Sequence, residues 1–222
     1  LYKKDGESNP VSLMASLCAD NDVVFIEQGG NSNWNDPAVP NWKHVKDADG
    51  NIVNAGIYIP GDAKNILCVS SWDGLTNDCA KKSYTNEDGE SLGLQPFSTA
   101  GTTSDGRVKP DVCVPSRIQG ADGTFLIRPF YSGRNDDMVT NANFADSTST
   151  SLRMLAAATI LLREARPELN AHQIRECILK TSSQGDVPTA DGKGYGLVNF
   201  EAALAYLPSE ADADGNPVWG ST

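Results

Sequence analysis

The chain has 222 residues, of which 39% are hydrophobic and 21% charged, and it carries a formal net charge of −11 with a pI near 4.5. That length suits one sizeable soluble domain. The acidity and the lack of any Lys/Arg cluster exclude a broad nucleic-acid footprint, and no run approaches the ~20 apolar residues of a membrane span.

The amino terminus, Leu1-Tyr2-Lys3-Lys4-Asp5-Gly6, lacks the pattern of a signal peptide. It also lacks an initial Met, so the chain is expected to be cut from something longer. Val11-Ser12-Leu13-Met14-Ala15-Ser16-Leu17-Cys18-Ala19-Asp20 has the spacing of an amphipathic helix. Val23-Val24-Phe25-Ile26 follows, an apolar, β-branched run that reads as a buried parallel strand and ends in Gln28-Gly29-Gly30-Asn31. Residues 32–56 are polar, with Trp34, Trp42 and a turn at Asp49-Gly50-Asn51, and form a long loop or hairpin-like insertion. Asn65-Ile66-Leu67-Cys68-Val69-Ser70-Ser71 is a second buried strand, residues 73–95 are loop, and Val112-Cys113-Val114 is a third strand stopped by Pro115. Residues 116–146 are irregular, with an edge-strand candidate at Phe125-Leu126-Ile127.

A long apolar helix is predicted over about 149–165 and a second over about 170–181, with Leu169, Ile174, Cys177 and Ile178 on one face. A tight turn at Gly194-Tyr195-Gly196-Leu197-Val198-Asn199 leads into a last helix at about Phe200–Tyr206, and a polar tail starts at Ser209. Strands alternating with helices imply an α/β fold, a three-layer sandwich with a mainly parallel sheet. Five cysteines (Cys18, Cys68, Cys79, Cys113 and Cys177) form no CxxC pair, so a zinc site is not expected and most read as small core residues.

The serine cluster Asp146-Ser147-Thr148-Ser149-Thr150-Ser151 stands at the mouth of the long helix. Such residues are ordinary N-caps. A serine there is also placed to act as a nucleophile, because unpaired N–H groups and the positive helix end favour an oxyanion beside it.

Four segments together resemble the carboxyl-terminal part of a subtilisin-like serine protease, the subtilase family. Val23 to Asn31 is similar to the family's apolar strand ending in Ala-Gly-Asn. Tyr58 to Val69 resembles its Pro-Ala-x-x-x-Asn-Val-Ile-x-Val strand. Phe97-Ser98-Thr99-Ala100-Gly101-Thr102-Thr103-Ser104-Asp105-Gly106-Arg107-Val108-Lys109-Pro110-Asp111-Val112 matches the family's Phe-Ser-x-x-Gly-x-Thr-x-Asp-Gly-Arg-x-Lys-Pro-Asp segment at most positions. Ser147-Thr148-Ser149 takes the place of Gly-Thr-Ser before an Ala/Leu-rich helix, and residues 194–204 fit the Gly-Tyr-Gly-Leu-Val-Asn-x-Glu-Ala-Ala-Leu element. The resemblance covers about residues 11–206. It makes 1–208 the carboxyl-terminal portion of a catalytic domain, incomplete at its amino-terminal side, with 32–56 as an insertion and 209–222 as a tail. Ser147 in place of Gly and Arg153 in place of Pro depart from the pattern, and a register shifted by two residues nominates Ser151 instead of Ser149.

The resemblance implies peptide-bond hydrolysis through an acyl-enzyme. Ser149 is then the nucleophile, Asn31 the oxyanion donor, and Gln28, Gly29 and Gly30 line the pocket for the residue before the scissile bond. A serine needs a base, and the base needs a carboxylate. The family's Asp-x-Gly and His-Gly-Thr-His segments do not occur here, and His44 and His172, the two histidines present, sit in no family motif. The base and carboxylate are therefore expected from a segment outside this chain, in cis or as a separate polypeptide. The alternative is a degenerate member that binds or scaffolds without cutting. No cofactor is required by the resemblance. It admits a structural calcium ion, but the acidic stretches at Asp36, Asp47-Ala48-Asp49 and 186–191 lack EF-hand spacing. Secretion or the cell envelope follows from the family, whereas five unpaired cysteines point to an intracellular compartment.

Overall fold

A computed structural model describes residues 3–31, 57–72, 94, 98–99, 101–116, 147–189 and 192–207. The expected insertion at 32–56, the edge strand at 125–127, His44, Cys79 and the tail lie outside the described residues.

Helix α1, Pro10–Asp20, starts where Asn9 accepts from Val11 N–H and proline occupies the first turn, a position where its missing donor costs nothing. Strands β1 (Ile26–Gln28), β2 (Leu67–Trp72) and β5 (Val112–Pro115) form a parallel sheet in the order β1-β2-β5, with β3 (Gly101–Thr102) and β4 (Val108–Lys109) as a small antiparallel pair between β2 and β5 in sequence. Helices α2 (Thr148–Ala165), α3 (Ala171–Lys180) and α4 (Phe200–Ala205) complete the described elements. The α/β reading with a mainly parallel sheet holds.

The first strand begins later than the run at residues 23–26 suggests. Val23 N–H closes onto Cys18 O at 3.1 Å after Asp22 turns at φ 61°, so it is spent on the helix end. Pairing starts with Ile26 opposite Leu67 and carries Gln28 opposite Val69. On β2 and β5 alternate residues split between faces. Leu67, Val69, Val112 and Val114 pack with Leu155 and Leu162 of α2 and with Ile174, Cys177 and Ile178 of α3. Cys113 turns the other way, toward Leu94, Trp72 and Leu197. The Gly-Tyr-Gly-Leu-Val element runs beside β5, with Cys113 N–H donating to Gly196 O and Val198 N–H to Cys113 O. Gly194 must be glycine, since its φ is 57° and a Cβ would run into the backbone of Pro110 and Asp111. Helix α3 is closed by a capping box between Asn170 and Gln173.

The Lys-Pro-Asp signature builds a buried ionic cluster beneath the sheet. Asp111 Oδ2 accepts from Lys109 Nζ at 2.6 Å and from Cys68 N–H at 2.7 Å, and Asp111 Oδ1 accepts from Arg175 Nη2 at 3.0 Å. Lys109 and Asp111 are both buried. This ties β2, β5 and α3 together through one carboxylate. Burial pushes the Asp111 pKa up, but the charges of Lys109 and Arg175 with the donated hydrogen bonds outweigh it, and the carboxyl is held below its usual range. Burial also raises the thiol of Cys68 strongly and that of Cys177 to about 11, so both are inert thiols.

Replacing Asp111 by Ala leaves Lys109 buried without its carboxylate and is expected to cost about 3–5 kcal/mol in chemical denaturation at neutral pH. A depressed carboxylate contributes fully above its unfolded value, about 3.9, and its contribution is lost as pH falls through the lower folded value. The stability gap between wild type and Asp111→Ala should therefore narrow as pH falls below about 4. A gap that stays constant with pH contradicts this assignment.

Candidate functional site

The carboxyl end of β1 and the amino end of α2 meet, as expected for a site at the strand ends of a parallel sheet. Asn31 Oδ1 accepts from Thr148 N–H at 2.9 Å and lies 2.8 Å from Thr148 Oγ1. Gln28 Oε1 lies 2.9 Å from Thr148 Oγ1 and accepts from Ser149 Oγ at 2.8 Å. Gln28, Asn31 and Ser149 are thus brought together across more than a hundred residues of chain. Gly29 and Gly30 adjoin them, buried.

The serine cluster does not cap the helix locally. Ser147 occupies the N-cap position in an extended conformation, but its side chain makes no capping bond. Asn31, three residues past the end of β1, does that work by accepting from the first N–H of the helix. Thr150 and Ser151 N–H donate to Ser147 O, at 3.0 and 3.5 Å. Among the described residues Ser149 N–H has no acceptor, so the helix end keeps one donor facing the hydroxyl's surroundings. The carbonyl end of the Asn31 amide is committed to Thr148, and its other end carries the N–H donors.

Ser151 differs from Ser149. It is fully buried, and its hydroxyl donates to Val114 O at 2.8 Å and lies 3.1 Å from Ser71 Oγ. It pins α2 onto β2 and β5. Ser149 is only partly buried and lies on the Gln28 side.

Residues 29–31 are held from three directions. Gly29 N–H donates to Val69 O at 2.8 Å, Tyr58 N–H donates to Gly29 O at 2.8 Å, and Thr99 N–H donates to Gly30 O at 3.2 Å. Tyr58 Oη donates to Asn31 O at 2.6 Å, and Asn31 bridges to Ser98. Gly30 has φ 119°, and a Cβ there would stand 2.5 Å from the Tyr58 ring. Asn31 and Ser149 stand out in the sequence, whereas Thr148, Tyr58 and Thr99 do not stand out as supports. Thr148 was visible within the Thr-Ser pair, whereas nothing in the isolated Tyr58 segment signals that its ring covers Gly30.

His172 is remote from Ser149. Its Nε2 lies 3.9 Å from Asp20 Oδ1, and the neighbouring Ala171 N–H donates to Asp22 Oδ1. Asp22 in turn pairs with Arg163 at 3.0 Å, near the far end of α2. At 1.5 Å per residue Arg163 stands on the order of 20 Å along the helix from Ser149. Among the described residues no three Asp, Glu, His or Cys side chains gather as metal ligands. Asp186, in one of the acidic stretches considered for calcium, pairs with Lys180 at 2.7 Å, and residues 36 and 47–49 lie outside the described residues. No described helix is long and apolar enough to cross a membrane.

A model of the subtilase family matches residues 6–198. Fervidolysin from Fervidobacterium pennivorans, a keratinolytic enzyme related to subtilisin, superposes with a TM-score of 0.50 at 19% identity over 92% of this chain and 27% of its own. MycP1 from Mycobacterium smegmatis gives a TM-score of 0.52 at 16% identity, covering 97% of this chain and 50% of its own. MycP1 with its amino-terminal propeptide removed gives 0.53 at 19% identity, covering 93% and 59%. At these identities the likeness speaks for the fold alone, and the chain spans less than two thirds of each solved relative. Among curated proteins none matches.

Gly30→Ala should destabilise the protein by about 1–3 kcal/mol in thermal or denaturant unfolding, because the new Cβ meets the Tyr58 ring at a φ that side chains avoid. Adding Tyr58→Ala should recover part of that loss by removing the steric conflict. Simple additivity of the two losses contradicts the packing described.

Proposed function

The chain belongs to the subtilase family, and from that premise we propose that it supplies the nucleophile and oxyanion hole of a serine endopeptidase acting on polypeptides. Ser149 is the nucleophile. Its Oγ attacks the scissile carbonyl, its proton passes to an imidazole base, and the tetrahedral oxyanion is held by Ser149 N–H and the Asn31 side-chain amide. Collapse of the intermediate expels the amine with that proton and leaves an acyl-enzyme, which water hydrolyses. Gln28, Gly29 and Gly30 border the pocket for the residue before the scissile bond. The observation that carries this reading is the Asn31–Thr148 bond, which orients the asparagine amide beside a helix end whose Ser149 N–H has no acceptor among the described residues.

The base and its carboxylate come, in this proposal, from polypeptide outside the 222 residues. The position of His172 near the far end of α2 supports that. So does the outer position of β1 in the described sheet, where Val24, Ile26, Leu152, Ala156 and Ile160, with Arg163 and Glu164 at one end, line a groove of about 760 Å³. Ile160 is 67% exposed. A further strand of the same catalytic domain would cover it.

A fluorophosphonate probe applied to the full-length protein tests the assignment. Labelling is expected in wild type, abolished in Ser149→Ala and retained in Ser151→Ala. Ser151→Ala should instead lose about 1–3 kcal/mol of stability, since Val114 O loses a buried donor. Absence of labelling in the full-length protein would favour the non-catalytic, binding alternative, and loss of labelling in Ser151→Ala alone would move the nucleophile.

A further inference from the structure

Resting on the nucleophile assignment above, we infer that Gln28 is a latch: its side-chain carbonyl holds the Ser149 proton, and that hydrogen bond must break before Ser149 can react. The contact is direct, with Ser149 Oγ donating to Gln28 Oε1 at 2.8 Å. A hydroxyl has one proton, so donation to Gln28 and donation to a base exclude each other. An amide oxygen accepts a hydrogen bond but is no general base at neutral pH, so the contact holds the proton without activating the oxygen. A base must come within about 2.6–3.2 Å of that same hydroxyl to take its proton.

The geometry makes release inexpensive. Gln28 Oε1 also lies 2.9 Å from Thr148 Oγ1, but Thr148 Oγ1 has a second acceptor in Asn31 Oδ1 at 2.8 Å. When Gln28 leaves, Thr148 turns its hydroxyl fully onto Asn31, and the Asn31 cap on Thr148 N–H is untouched. Opening the latch therefore gives up one hydrogen bond, that of Ser149, and preserves the oxyanion side of the site. Gln28 is half-buried at the last position of β1, so it is not locked in a closed core. The latch is set by this one side chain, because the following residues Gly29 and Gly30 have none.

The experiment compares the rate of fluorophosphonate labelling across pH in the full-length protein for wild type, Gln28→Ala, Gln28→Met and each combined with Ser149→Ala. Gln28→Met keeps the bulk and removes the acceptor, and unfolding midpoints verify that both variants are folded. Losing a competing hydrogen bond is expected to raise the labelling rate about two- to tenfold in both variants. The plateau rises while the pH midpoint stays put, since the base is unchanged. Labelling disappears with Ser149→Ala. Equal rates in wild type and both variants, with labelling still dependent on Ser149, overturn the latch and leave the nucleophile in place. A lower plateau in the folded variants also overturns it, because Gln28 would then be aligning Ser149 for attack. No labelling in any variant, or labelling that survives Ser149→Ala, overturns both readings.

Discussion

The hydrogen bond from Thr148 N–H to Asn31 Oδ1 is the constraint on which the rest of the site depends. It joins the end of the first strand to the beginning of the long helix, and it satisfies a helix donor that Ser147 leaves uncapped. Because a side-chain amide has one accepting and one donating end, fixing the first fixes the second. The asparagine is thereby a helix cap and a directed donor at once. Remove the cap and both the helix end and the donor lose their orientation together.

That bond holds its geometry only because each partner is anchored behind it. On the strand side, Tyr58, Thr99 and Val69 hold the backbone of residues 29–30, and glycine at 30 lets the tyrosine ring lie against the chain. On the helix side, Ser151 fastens α2 to β5 through Val114 O, and the apolar face of α2 packs on Val69, Val112 and Val114. Further along the sheet, Asp111 gathers Lys109, Arg175 and the Cys68 amide. A buried cluster of this kind adds little net stability when intact but penalises any arrangement that separates its members. It thus favours one register of β2, β5 and α3.

Much of this was legible in the sequence for identifiable physical reasons. The helices expected over 11–20, about 149–165, about 170–181 and about 200–206 announce themselves through apolar spacing, and the structure sets their starts by the caps Asn9, Asn170 and Asn199 for all but the long one. The strands around Leu67 and Val112 are apolar runs bounded by turn residues. Two matters were not legible. The start of β1 depends on a hydrogen bond that spends Val23 N–H on the preceding helix, and composition does not register that. The choice between Ser149 and Ser151 depends on which face of one helical turn meets the sheet, and both residues carry the same side chain. Their surroundings differ, which supports the proposed assignment: Ser151 is enclosed against Val114 and Ser71, and Ser149 faces Gln28. The role of Thr148, whose backbone receives the cap, is likewise set by tertiary contact and not by residue type.

The most direct test of the proposed oxyanion site is a crystal structure of the full-length protein after reaction with a phosphonylating inhibitor. The expected adduct is on Ser149 Oγ, with one phosphoryl oxygen about 2.7–3.1 Å from both Ser149 N and the Asn31 amide nitrogen while Asn31 Oδ1 stays on Thr148 N–H. An adduct on another residue, or a phosphoryl oxygen turned to solvent with Asn31 taking no part, contradicts it.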